Sequence, residues 1–237
     1  MARAHFSEAG FVELIGAIRD AGYDFRSFDD FDAEYSIVLR HDVDFSPADA
    51  AKMAALEQQL GVTATYFILL TSAFYNPLAP DTKASVDDIL AGGARLGLHF
   101  DASVYEDLDE GFERERRIFE EGFGRPLEIV SLHRPRGFLD DNNRKLPGVR
   151  HTYEDAFFRD LKYIADSGGS FAYGDPLDSE VFAQRKSIHL NLHPIWWMRD
   201  GDSPSEKLRS WQRDHLGHIA GETARNCRTY DGLVTVP

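Results

Sequence analysis

Two periodicities alternate along this chain. Phe11, Leu14, Ile15 and Ile18 recur at helical spacing behind Ser7, which can cap a helix running to about Ala21, where Gly22 stops it. Pro47 opens a second helical stretch that reaches Leu60 and ends at Gly61. Further helical patterns cover roughly 85–95 and 110–122, and a last one begins near Ser203, with Pro204 in its first turn. Between them lie apolar, β-rich runs at 36–44, 64–70, 96–101, 129–135, 162–165 and 187–194. Strands alternating with helices predict a parallel α/β sheet or barrel. The acidic and aromatic segment 23–34 reads as a surface connection. The stretch 137–158 reads as loop, with Asn142-Asn143 and Pro147-Gly148 as turn formers.

Four of the strand patterns end in polar side chains: Arg40-His41-Asp42-Val43-Asp44, Leu98-His99-Phe100-Asp101, Leu132-His133-Arg134-Pro135 and His189-Leu190-Asn191-Leu192-His193-Pro194. Residues two apart on a strand share a face. Asp42 and Asp44 therefore point the same way, as do His99 and Asp101, and as do His189, Asn191 and His193. The residues between them are apolar and suit a face covered by helices. His41 has the opposite parity and fits a hydrogen-bonded core histidine, while His151, His215 and His218 carry no constellation. Four polar strand ends separated by helices look like the rim of an α/β barrel, where such folds keep their chemistry.

With 237 residues and 43% hydrophobic content, the chain can bury a full core as one domain. A formal charge of −14 and the lack of a Lys/Arg cluster argue against nucleic acid as a partner. Cys227 stands alone, so neither a disulfide framework nor a thiolate metal cluster is expected. The amino terminus lacks an apolar signal core and no run approaches a membrane span, which predicts a soluble, cytoplasmic protein. The oligomeric state is left open.

Such strand ends suit a divalent metal. A catalytic ion takes three protein ligands from His, Asp or Glu, keeps a position for water and lowers that water's pKa. Asp42 and Asp44 offer a division of labour, one carboxylate on the metal and the other beside its water. His99 is the natural second ligand. His193, far away in sequence, suits a general acid on the opposite wall, protonating the departing amine.

These motifs, in this order, resemble the polysaccharide deacetylase (NodB-homology) superfamily over about Ile37 to Trp197. The stretch Leu192-His193-Pro194-Ile195-Trp196-Trp197 resembles a divergent branch found among surface-polysaccharide biosynthesis proteins. The resemblance implies a distorted (β/α) barrel of about seven strands, its motif-bearing core near 36–200, that hydrolyses an N-acetyl group with a divalent metal, zinc by expectation. It makes Asp42 the catalytic base, Asp44 a metal ligand, His99 the first histidine of a metal-binding pair and His193 the catalytic acid. Arg134 matches the arginine that orients the base, and Asp166 the acid that holds that arginine.

One position departs from the pattern. The second metal histidine of the family falls four residues after the first, and here that residue is Ser103, a poor zinc ligand. His133 is the expected replacement and Asp101 the next choice, with Pro135 breaking the strand so that His133 and Arg134 can both turn toward the rim. Trp196 and Trp197, with Tyr66 and Tyr75, could stack on sugar rings, although the tryptophans suit sealing a helix against a strand equally well. Asp166 is grouped with them near the substrate. The expected activity is de-N-acetylation of an amino sugar or sugar precursor. Hydrolysis of another amide, and sugar binding without catalysis, are the alternatives. An iron oxygenase built on His99-Phe100-Asp101 and a distal histidine is disfavoured by the helices.

Overall fold

The computed structural model describes residues 6–140, 144–172 and 174–232. The Asn142-Asn143 turn and the extreme amino terminus lie outside the described residues. Among the described residues eight strands occur in chain order: β1 (Asp24–Arg26), β2 (Ser36–Val43), β3 (Thr65–Leu69), β4 (Arg95–Phe100), β5 (Ile129–Leu132), β6 (Arg150–His151), β7 (Lys162–Ala165) and β8 (Ile188–Leu192). The longer helices among them are α1 (Glu8–Asp20), α2 (Pro47–Leu60), α3 (Pro80–Ala91) and α4 (Leu108–Phe123). Four short ones follow: α5 (Arg136–Asp140), α6 (Asp155–Phe158), α7 (Glu180–Ala183) and α8 (Pro194–Met198). The described residues up to Met198 form one compact unit, and a second unit, from Arg199 onward, consists mainly of α9 (Pro204–Asn226).

All strand pairings are parallel, in the order β6-β5-β4-β3-β2-β8-β7, with β1 laid beside the start of β2. This is a curled (β/α) half-barrel whose free edges are β6 and β7. Both faces of β2 are covered, as expected of a central parallel strand, and all eight of its residues are buried. Local chemistry starts and stops the helices. Ser7 Oγ accepts from Gly10 N at 3.0 Å to cap α1, and Ser46 Oγ accepts from Asp49 N at 3.2 Å to cap α2. Gly61, at φ +65°, ends α2 in the left-handed conformation that costs glycine least. The helix expected from about residue 85 begins at Pro80, since proline at the first helical position gives up no bonded N–H.

The segment 23–34 is not a surface connection. It contributes β1, and Phe28 is buried in an interior cluster with Val38, Phe67, Ile129, Phe157 and Leu161. Phe28 meets Phe67, Phe157 and His189 edge-on, at ring separations of 6.3, 5.1 and 5.2 Å. Gly97 leaves room for this filling, because a Cβ there would lie 2.5 Å from the Phe67 ring. The two-residue strand β6 also escaped the sequence pattern, being too short to show a period. Apolar side chains thus fill one end of the barrel interior, and the polar positions of β2, β4, β5 and β8 face into the other.

Candidate metal centre

The carboxyl ends of β2, β4 and β5 bring three side chains together. Asp44 follows β2, His99 lies on β4 and His133 follows β5. His133 Nδ1 is 3.1 Å from His99 Nε2 and 3.5 Å from Asp44 Oδ1, and His99 Nε2 is 3.2 Å from Asp44 Oδ1. Among the described residues they are the group of acidic, histidine or cysteine side chains close enough to hold one ion. Asp44 Oδ1 is buried and accepts no well-formed hydrogen bond. Burial works to raise the Asp44 carboxyl pKa, but His133 and His99 beside it hold it well below the usual carboxylate range.

The triangle fits a small divalent cation. Ligands about 2.0–2.2 Å from a tetrahedral zinc lie roughly 3.3–3.6 Å from one another, close to the three separations here. Two ring nitrogens facing each other with a buried, unbonded carboxylate oxygen are poorly satisfied by protons alone.

His193, just past β8, stands on the other side of Asp44, its Nε2 3.9 Å from Asp44 Oδ2. Its Nδ1 donates to Asp166 Oδ1 at 2.6 Å, and its backbone N–H also points at the Asp166 carboxylate. Burial opposes the imidazolium, but Asp166 outweighs it, and the His193 pKa is pushed up to about 9. His189, deeper on the same strand, is held neutral by burial and by the nearby Arg40 charge, its pKa reduced to about 3, and its Nδ1–H donates to Phe157 O.

Asp42 occupies a different setting. It is 4% exposed, and three donors reach it: Arg40 Nη2 and Asn191 Nδ2 to Oδ2, and Ser131 Oγ to Oδ1, each at 3.0 Å. Burial works to raise its pKa, but Arg40 first, then His99 and His193, bring it to about 2. Arg40 is itself fully buried. Its guanidinium reaches Tyr153 OH just past β6 at 3.2 Å, Tyr163 OH on β7 at 3.5 Å, and Thr152 Oγ1. It therefore spans the gap between the two free edges of the sheet.

Several expected positions differ. Arg134 does not reach Asp42: its backbone takes the left-handed conformation at φ +50°, which turns its side chain outward to 73% exposure, 4.0 Å from Asp101 Oδ2. The strand break at residue 133 thus presents His133 to the rim but not Arg134. Arg40 makes the contact with Asp42 instead. Arg40 shares Asp42's parity two positions upstream, and that spacing is the sequence signal for the contact. Asp166 holds His193 and accepts from Trp197 Nε1 at 2.7 Å, rather than holding an arginine.

Neither tryptophan offers a ring face to the cleft. Trp197 is 1% exposed and packs on Phe6, Phe11 and Phe171, and Trp196 is 5% exposed beside Phe45. Tyr66 is spent on Glu57, and Tyr75 OH donates to Val43 O and accepts from Leu69 N. Ser103 stays out of the triad, with its hydroxyl and N–H both on Asp101 Oδ1. A polar cleft of about 550 Å³ borders the loops after β4 and β5, lined by Ser103, Tyr105, Glu106, Arg134, Phe138 and Arg144.

Solved structures similar to this chain include deacetylases, a carbohydrate esterase and a pseudoenzyme. One, from Bordetella bronchiseptica, is described as a polysaccharide deacetylase involved in O-antigen biosynthesis. It is 17% identical, with 83% of this chain and 88% of that one covered at a TM-score of 0.49. A family 4 carbohydrate esterase from Bacillus anthracis is 13% identical, covering 88% and 86%, at 0.42. A CE4 family pseudoenzyme from the same organism is 12% identical, covering 77% and 60%, at 0.39. No family model matches the chain, and no curated protein does. At such low identities, what the centre does has to be read from its own geometry.

Proposed function

We propose that this protein is a metal-dependent hydrolase of an amide bond that removes the acetyl group from an amino sugar or a sugar precursor. The observation that carries the reading is the Asp44–His99–His133 triangle with the His193–Asp166 pair facing it. Two histidines and one carboxylate are a zinc donor set that leaves a coordination position open. The ion, when bound there, supplies Lewis acidity for a carbonyl and lowers the pKa of water.

The residues divide the remaining work. Asp166 fixes the His193 ring with Nδ1 protonated and Nε2 turned to the centre. Hydrolysis needs one proton taken from the attacking water and one given to the departing nitrogen; the ionised Asp42 carboxylate suits the first and the charged His193 Nε2 the second. Asp166 keeps the His193 imidazolium charged, so the ring arrives at the centre as a proton donor. The same donors also suit ferrous iron, but redox chemistry at iron gives the His193–Asp166 pair no part.

The test is elemental analysis of the purified protein, followed by an acetate-release assay on N-acetylated amino sugars, nucleotide-linked sugars and short oligosaccharides. One divalent ion per chain and metal-dependent acetate release support the reading. Stoichiometric metal without release from any of these would move the protein to sugar binding or to another amide.

A further inference from the structure

We infer that Trp197 is a positioning residue for the proton donor of this site: its indole N–H ties one oxygen of Asp166 and so aims the other at His193. The inference rests on the proposed hydrolase reading and assigns a role within it. Asp166 is fully buried just past β7, and His193 lies just past β8, the neighbouring strand. Pairing of the two strands sets the distance between their backbones. It does not set the rotation of the carboxylate about its own Cβ–Cγ bond, which is broad.

The His193 backbone N–H leaves that rotation loose as well. It lies 3.0 Å from Oδ1 and 3.1 Å from Oδ2, and a donor shared evenly tethers the group without deciding which way an oxygen turns. Trp197 decides it. Its Nε1–H donates to Oδ2 at 2.7 Å, which leaves Oδ1 facing His193 Nδ1 at 2.6 Å. The indole is itself held by the core, 1% exposed and packed on Phe6, Phe11 and Phe171 at ring separations of 4.7, 5.9 and 6.3 Å. Helix α8 brings it there, since Trp197 falls four residues after His193 and so shares its side of the turn. Trp196, one position earlier, turns to Phe45, and its Nε1 has no hydrogen-bond partner among the described residues. Two adjacent tryptophans thus differ in one bond, and that bond ends on the carboxylate that orients the proton donor. A donor misplaced by about 1 Å can cost 10²-fold in rate.

The experiment removes the bond and keeps the bulk. Trp197→Phe would open a hole in the core, so Trp197→benzothienylalanine, in which sulfur replaces the indole N–H, is made in the full chain. Trp196→benzothienylalanine is the control. The Nδ1–H of His193 is followed by ¹H–¹⁵N NMR, and acetate release from an N-acetylglucosamine oligosaccharide is measured at saturating zinc. In the Trp197 variant the His193 Nδ1–H signal should move upfield and exchange faster with solvent. Its kcat should fall about 10–100-fold, the worth of one hydrogen bond to a charged group, with KM little changed. The Trp196 variant should match the wild type in both. An unchanged His193 signal and kcat in the Trp197 variant, or an equal change in the two variants, overturns the inference. A wild-type chain that releases no acetate overturns the proposed function instead, and the NMR comparison still decides the role of Trp197.

Discussion

His99 Nε2 and His133 Nδ1 face each other across 3.1 Å, from the end of β4 and the residue just past β5. With Asp44 they make an acceptor-rich pocket that a cation relieves. Added zinc should therefore stabilise the chain by about 2.7 kcal/mol at 100 times its dissociation constant, seen as a rise in melting temperature that a chelator reverses. His133→Ala should abolish most of that rise, whereas Ser103→Ala, outside the triangle, should keep it. An equal response from both variants would place the ion elsewhere.

The His193–Asp166 pair predicts a catalytic defect without metal loss. His193→Ala and Asp166→Asn should each lower kcat by about 10²–10⁴-fold at full zinc occupancy. Asp166→Asn should also loosen Trp197, which donates to the same carboxylate. Comparison of steady-state kinetics with metal content checks this, and an unimpaired rate on a true substrate would remove the pair from proton transfer.

Arg40 and Arg134 should behave oppositely. Removing Arg40 leaves Asp42 as a buried, uncompensated charge and frees the contact between the sheet edges, so Arg40→Met should cost about 3–5 kcal/mol in a denaturant titration. Arg134→Ala at an exposed position should stay within about 0.5 kcal/mol. A large loss of stability in Arg134→Ala would contradict the placement of the two arginines.

Glu115 on α4 carries a pH dependence. It is buried, accepts from Tyr105 OH at 2.7 Å, and its Oε2 has no hydrogen-bond partner. Burial, reinforced by Asp101, pushes its pKa up to about 7 against the hydrogen bond from Tyr105. Between about pH 4.5 and 7 the folded chain therefore holds a proton that the unfolded chain has released, so stability falls as pH rises through this window. Glu115→Gln should remove that slope and gain on the wild type by roughly 2–4 kcal/mol above pH 7. Parallel stability curves for the two proteins across the window would show that Glu115 ionises normally.

The alternation of the strand ends already decided a good deal. Which side chains of β2, β4 and β8 face one way follows from a period of two, and that rule put Asp42 beside Asp44 and kept His41 aside. His41 indeed bonds Glu57 on α2 and Leu192 O, away from the centre. The Ser7 and Ser46 caps, the stop at Gly61 and the parallel α/β class are local matters too, settled within a few residues of chain. The tertiary structure alone decided the partners. Arg40 instead of Arg134 meets Asp42 because a left-handed turn at residue 134 points that side chain outward, and backbone dihedrals of a loop leave no periodic trace. Asp166 meets His193 and Trp197 because β7 lies against β8, a neighbour relation fixed by the order of the sheet. Phe28 is core because the barrel interior needed filling where Gly97 left space. Facing follows from local geometry, but contact across a barrel depends on how distant strands are registered and closed.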